Sequence, residues 1–225
     1  MNAATIVFDL DGTLVDTAPD LIRATNHVLA LKGQPEVDPE FARPWISFGA
    51  LRMITEAMQR AGLQLSDAEH TSLHDAFLVH YEANLAYSSR PFPGAETLLD
   101  HLKTQGAKLA VCTNKRESLS RKLLGELGLL DRFDAIVGRD TLPVYKPDPR
   151  HLLEAIIRAG GTPKKSIMVG DSDTDVKTAR AADVPVVGVS FGYTQTPMAE
   201  LNPDRLVHHY DDMHHALSHI LNCDQ

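Results

Sequence analysis

Along the chain, short apolar runs alternate with segments of helical period. Thr5-Ile6-Val7-Phe8, Leu109-Ala110-Val111-Cys112, Ala135-Ile136-Val137-Gly138, Ile167-Met168-Val169-Gly170 and Val184-Pro185-Val186-Val187-Gly188-Val189 are continuous and rich in β-branched residues. Such runs suit strands buried on both faces, as in a parallel sheet. Between them lie apolar stripes at helical spacing: Leu98, Leu99 and Leu102, then Leu119, Leu123, Leu124 and Leu127, then Leu152, Leu153, Ile156 and Ile157. Gly106, Gly128 and Gly160 follow these stripes, where a helix is expected to stop. The alternation predicts an α/β fold built on a doubly wound parallel sheet.

One stretch breaks the pattern. Between Asp9 and Lys108 there is little strand signal. Pro19 opens a helix carrying Leu21, Val28 and Leu29 that stops at Gly33, and Phe48, Leu51, Ile54 and Met58 mark another that stops at Gly62. Ser66-Asp67-Ala68-Glu69 has the form of a capping box ahead of Leu73, Phe77 and Tyr81. A single βα crossover needs far fewer residues. Residues 16–88 therefore read as an inserted α-helical cap domain, and 1–15 with 89–225 as an α/β core domain. The insertion starts just after Asp9-Leu10-Asp11 and is expected to cover whatever site those residues form.

Composition narrows the function classes. The 225 residues carry 22 Lys and Arg against 30 Asp and Glu, a formal net charge of -8, which argues against a nucleic-acid partner. No apolar run approaches the roughly 18 residues of a membrane helix, and no basic leader precedes the first apolar run. Cys112 and Cys223 cannot build a disulfide framework and fit a reducing compartment. The expectation is a cytoplasmic protein with no membrane partner, its oligomeric state open.

The polar residues that matter fall where the strands end. Asp9-Leu10-Asp11-Gly12-Thr13 follows the first run, Thr113-Asn114-Lys115 the second, and Asp171-Ser172-Asp173-Thr174-Asp175 the fourth; Lys146-Pro147-Asp148-Pro149 lies in the loop after the third. Ligands of open α/β sheets bind beyond the carboxyl ends of the strands. Each group alone is ordinary turn or capping chemistry. Together, carboxylates from two strand ends, a hydroxyl from a third and a lysine from a fourth loop suit a divalent metal and a phosphate group. Asp171-x-Asp173-x-Asp175 begins like an EF-hand loop, but Val176 stands where that loop needs Gly and Ala182 where it needs Glu. Neither the GxxxxGK[ST] nor the GxGxxG phosphate-binding pattern is present.

The four motifs Asp9-x-Asp11-Gly12-Thr13-Leu14-Val15-Asp16, Thr113-Asn114, Lys146-Pro147-Asp148-Pro149 and Gly170-Asp171-x-x-x-Asp175 resemble, in order and separation, those of the haloacid dehalogenase superfamily. The resemblance spans the whole sheet domain, and the insertion is similar to that superfamily's helical cap. It implies Asp9 as a nucleophile that forms an aspartyl-phosphate, and Asp11 as general acid and then base. It implies Mg2+ held by Asp9, the Asp11 main-chain carbonyl and Asp171. Thr113, Asn114 and Lys146 would contact the phosphoryl group, and Asp175 would orient Lys146 or metal-bound water. Asp11 favours ester hydrolysis over dehalogenation, because a halide leaves unprotonated. Phosphonate cleavage by such enzymes uses a cap lysine and an Asp-x-Ala motif; here the cap offers only Lys32, and the motif is absent.

The expected activity is hydrolysis of a small phosphate monoester, 2-phosphoglycolate first. Arg52 is the preferred cap residue for the substrate's carboxylate, with Arg43 and Lys32 behind it. Lys115 and Arg116 lie near the expected site and are placed to attract anions. A sugar-phosphate phosphatase (including a muramic acid 6-phosphate type), a pyrophosphatase and a phosphomutase share the same core and stay open, as does a silent phosphometabolite-binding protein. Trp45 and Phe48 are expected in the cap core, Cys112 as buried strand filler, and the late histidines on the exposed side of a terminal helix whose Met213, Ala216, Leu217 and Ile220 face inward.

Overall fold

The structure is a computed structural model and describes residues 4–223. In chain order, strand β1 (Thr5–Phe8) and the two-residue strand β2 (Val15–Asp16) lead into helices α1 (Ala18–Leu31), α2 (Pro39–Ala42), α3 (Ala50–Arg60) and α4 (Asp67–Glu82). Strand β3 (Arg90–Pro91) then returns the chain to α5 (Ala95–Thr104), β4 (Lys108–Cys112), α6 (Glu117–Glu126), β5 (Ala135–Val137) and α7 (Pro149–Arg158). After these come β6 (Ser166–Gly170), α8 (Asp173–Ala181), β7 (Val186–Val189), β8 (Arg205–Val207) and α9 (Met213–Cys223). The chain divides into two compact units, one running up to Asp16 and again from Pro91, the other comprising Thr17–Arg90.

The first unit is built on a six-stranded sheet of order β5-β4-β1-β6-β7-β8. Every pairing in it is parallel, with β1 central: Phe8 lies opposite Val111 of β4 and Val169 of β6. Val7, Ala110, Cys112, Val137 and Met168 pack with Leu152, Ala155 and Ile156 of α7 and Val176 and Ala179 of α8. Ile6, Phe8, Leu109 and Val111, which alternate to the opposite face, are equally buried, so the sheet is covered on both sides. This is why the strands read as unbroken apolar runs. The strand β8 carries no such run: its Arg205 is exposed and only Val207 is buried.

In the second unit Pro19 sits in the first turn of α1, where its missing N–H costs nothing. Asp20, fully buried, accepts hydrogen bonds from Ser88 N (2.9 Å), Ser89 N (2.8 Å) and Ser89 Oγ (2.7 Å), tying the start of α1 to the end of the unit. The α3 helix buries Met53, Ile54, Ala57 and Met58 on one face, and α4 buries Leu73, Phe77 and Tyr81. The Ser66–Glu69 capping box forms at the start of α4. Phe48 departs from expectation: it lies in a 3₁₀ turn, Arg43–Phe48, and is 57% exposed, while Trp45 is half-buried. Pro44 and Gly49 bracket this turn, so the apolar stripe running on into α3 does not begin until Ala50. Among the described residues no helix is long and apolar enough to cross a membrane.

Candidate active site

The sheet register fixes the first groups. The Asp9 N–H bonds Val169 O (2.9 Å) and the Thr113 N–H bonds Val137 O (3.0 Å), so each residue continues a ladder one step past its strand. Beyond Asp9 the chain turns tightly, with Leu14 N and Val15 N both bonding Leu10 O at 3.0 Å. Gly12 takes a φ of +82°, and a Cβ there would fall 2.5 Å from Asp171 Oδ2 and 2.9 Å from the Tyr193 ring. Glycine is required at this position for both conformation and space.

Lys146 joins two carboxylates. Its ammonium, buried, lies 3.0 Å from Asp9 Oδ1 and 2.6 Å from Asp175 Oδ1. Its loop is fastened to the end of β4 by Asn114 Nδ2, which donates to Lys146 O at 3.0 Å. Asp175 is doubly committed. Its Oδ2 accepts from Ser172 N (3.1 Å) and Ser172 Oγ (2.6 Å), which forms the capping box of α8. Asp171 stands at the end of β6, where Oδ1 accepts from Thr13 Oγ1 (2.9 Å) and Oδ2 from Tyr193 N (2.8 Å). Thr13 is itself held by Tyr210, whose hydroxyl donates to Thr13 O at 2.7 Å. Asp11 meets Lys115, whose Nζ lies 2.9 and 3.2 Å from its two oxygens.

These charges do not balance. Burial pushes the Asp171 carboxyl up to about 8, with Asp175 and Asp9 adding to the shift. Burial pushes Asp9 up to about 6 against the pull of Lys146, with Asp175 and Asp11 adding to it. Burial favours a neutral Lys146, but Asp175 and Asp9 outweigh it and hold the amine charged. The cluster is short of positive charge. Ligand oxygens of Asp9, Asp171 and Asp175 lie within 4.8 Å of one another, a hard, all-oxygen set that suits Mg2+ or a similar cation. Of the three, Asp175 gives one oxygen to Lys146 and the other to the cap of α8.

The structure thus gathers Asp9, Asp171, Asp175 and Lys146, sets Asp11 beside them, and places Thr113 and Asn114 at the end of the neighbouring strand. Asp173 does not join the cluster; it pairs with Lys177 at 2.6 Å on the surface of α8. Arg52 belongs to the helical unit, where its guanidinium is 2.6 Å from Glu56 and 5.2 Å over the Trp45 ring. In the same unit Lys32 pairs with Glu69 at 2.6 Å. Ser172 caps α8, as the sequence allowed, while sequence reasoning missed Tyr193 as a partner of Asp171 and missed the Lys115–Asp11 pair. It also missed His151, whose Nε2 lies 2.9 Å from Gly138 O and whose Nδ1 lies 3.2 Å from Cys112 Sγ, behind Thr113. No local pattern points to Tyr193, the Lys115–Asp11 pair or His151.

The model of the haloacid dehalogenase-like hydrolase family matches residues 6–189. A phosphoglycolate phosphatase of Mesorhizobium japonicum is 46% identical over 94% of this chain and 93% of its own length. One from Caulobacter vibrioides is 42% identical over 98% and 93%. A crystal structure described as a predicted phosphoglycolate phosphatase of Haemophilus somnus superposes with a TM-score of 0.88 at 32% identity, covering 94% of this chain and 96% of that one. On the family match and these relatives, the chain belongs to the haloacid dehalogenase-like hydrolase family.

Proposed function

We propose that the chain is a Mg2+-dependent phosphoric monoester hydrolase with Asp9 as nucleophile and 2-phosphoglycolate as its preferred substrate. The observation that carries this reading is the buried Lys146, which holds Asp9 and Asp175 together one residue past the central strand. The names of the relatives supply the substrate.

A carboxylate approaching a phosphate dianion is repelled by about 4 kcal/mol per charge pair at ~4 Å and an effective dielectric near 20. Lys146 offsets part of that. Asp9, Asp171 and the Asp11 main-chain carbonyl would hold Mg2+, which when bound supplies the remaining positive charge. An Asp9 oxygen attacks phosphorus as the ester P–O bond breaks, and the Asp11 carboxyl gives its proton to the departing alkoxide. Asp11 then takes a proton from the water that attacks the aspartyl-phosphate, restoring Asp9. Thr113, Asn114 and Lys146 steady the phosphoryl oxygens. Asp175 keeps Lys146 in place. In this reading Thr17–Arg90 is the cap, and Arg52 is its candidate specificity residue.

The test is phosphate release across 2-phosphoglycolate, sugar phosphates including muramic acid 6-phosphate, and pyrophosphate, for the native and Asp9→Asn proteins with Mg2+. Asp9→Asn is expected to lose at least ~10³-fold in kcat; full activity would overturn the assignment. A ranking in which 2-phosphoglycolate is no better than the others removes the narrow substrate and leaves the reaction class. Isomerised product without phosphate release would mark a mutase, and no turnover at all a silent binding protein.

A further inference from the structure

The Lys115–Asp11 pair raises a question that the proposed mechanism leaves open. Both Asp11 oxygens are engaged by one ammonium, at 2.9 and 3.2 Å, and the Lys115 side chain is only 6% exposed. The Lys115 backbone is fixed on both sides: its N–H bonds Thr113 Oγ1 (3.2 Å) and its carbonyl accepts from Arg139 N (2.9 Å). The pair is therefore a built contact between the ends of β1 and β4, in contrast to the solvated surface pairs elsewhere on the chain. An Asp11 that spends both oxygens on Lys115 is not available to the ester oxygen of a substrate. Turnover requires this contact to be exchanged, and an anion of the substrate can take Asp11's place on Lys115.

The substrate class of the proposed function carries that anion. In a phosphate ester of a 2-hydroxy acid, the carboxylate is bonded to the same carbon as the ester oxygen. A cation that touches the acid serving that oxygen lies within reach of the carboxylate. We propose that Lys115 determines specificity by exchanging Asp11 for the substrate's carboxylate, so that only an ester bearing this second anion frees Asp11 to act. No covalent bond changes in the exchange itself; one ion pair replaces another, and the freed Asp11 carboxylate takes up a proton from solution before giving it to the ester oxygen. A simple alkyl phosphate offers Lys115 nothing and leaves Asp11 held. This inference rests on the carboxylate-bearing substrate of the preceding reading.

The experiment compares 2-phosphoglycolate with ethyl phosphate, in which a methyl group replaces the carboxylate. The ratio of kcat/KM for the two is measured in the native, Lys115→Met and Lys115→Arg proteins with Mg2+, after thermal melts establish that each is folded. The native ratio is expected to favour 2-phosphoglycolate strongly. Lys115→Met is expected to lower it at least tenfold, the scale of losing a desolvated charge pair, and Lys115→Arg to restore most of it. Lys115→Gln gives the same reading should the Met protein not fold. A native preference that survives Lys115→Met, or a loss equal on both substrates, overturns this inference alone. A native ratio near one overturns the substrate reading and this inference with it.

Discussion

Asp171 and Asp9 carry the site's energetic tension, and their titration makes it measurable. Both carboxyls sit above the ordinary carboxylate value of 3.8, at about 8 and about 6, chiefly because they are buried. A raised folded value contributes stability that is complete below the unfolded value and is lost as pH rises through the folded one. The metal-free protein should therefore lose melting temperature, on the order of 5 °C, between pH 5 and pH 8.5. Mg2+ should reverse that loss and release protons on binding, which calorimetry in buffers of different ionisation enthalpy would detect. A stability that is flat across this window, with or without Mg2+, would contradict the account. His151 gives the opposite slope. Burial lowers it below the ordinary 6.5, so its contribution holds above that value and is lost as pH falls through the folded one. The acid-side loss should persist in saturating Mg2+, since His151 touches Cys112 and Gly138 and no acidic residue of the cluster. At this scale the sequence was legible where residue type and place were enough. Two carboxylates after a strand, and a lysine before Pro-Asp-Pro, announce themselves. Lys115 read as a cation near the site, but its bond to Asp11 did not show, because the partner is 104 positions away and nothing near it in the chain encodes the pairing.

Helices and strands add a second kind of test, because one capping motif appears twice. Ser66 with Glu69 starts α4, and Ser172 with Asp175 starts α8. Each serine replaced by alanine should cost about 1 kcal/mol in denaturant unfolding. Only Ser172→Ala should also depress kcat, because Asp175 is at once the helix cap and the counter-charge of Lys146. Equal kcat in the two variants would mean that the α8 cap does not position the lysine. Gly170→Ala attacks the same joint from the strand side, since a Cβ there would collide with the Asp175 side chain. It should destabilise by several kcal/mol and show as a lowered denaturant midpoint. The sequence revealed elements whose burial is uniform, such as β1, β4 and β6. It hid β8, which buries one residue of three, and it placed Phe48 in the core because an apolar spacing does not show where Pro44 and Gly49 break the helix.

For the whole molecule, every residue of the acidic cluster and its lysine comes from the unit built on the sheet. Replacing Thr17–Arg90 by a short Gly/Ser linker should therefore leave a protein whose melting temperature still rises with Mg2+. Loss of that response would mean that the helical unit completes the metal site. The net charge of -8 also looks different now. It spoke against nucleic acid, yet part of the acid excess is the cluster itself, so global charge says little about a small phosphate. The central place of β1 has a consequence for biosynthesis. Its two neighbours pair Phe8 with Val111 and Val169, both distant in the chain. At ~5–20 residues per second, the ribosome delivers β4 only about ten seconds after β1, and β6 several seconds later. The helical unit emerges complete in that interval, while the first strand and the Asp9 that follows it wait unpaired. A nascent chain stalled before residue 108 would hold an apolar strand with neither of its neighbours and would lack Asp171, which makes it a client for chaperones.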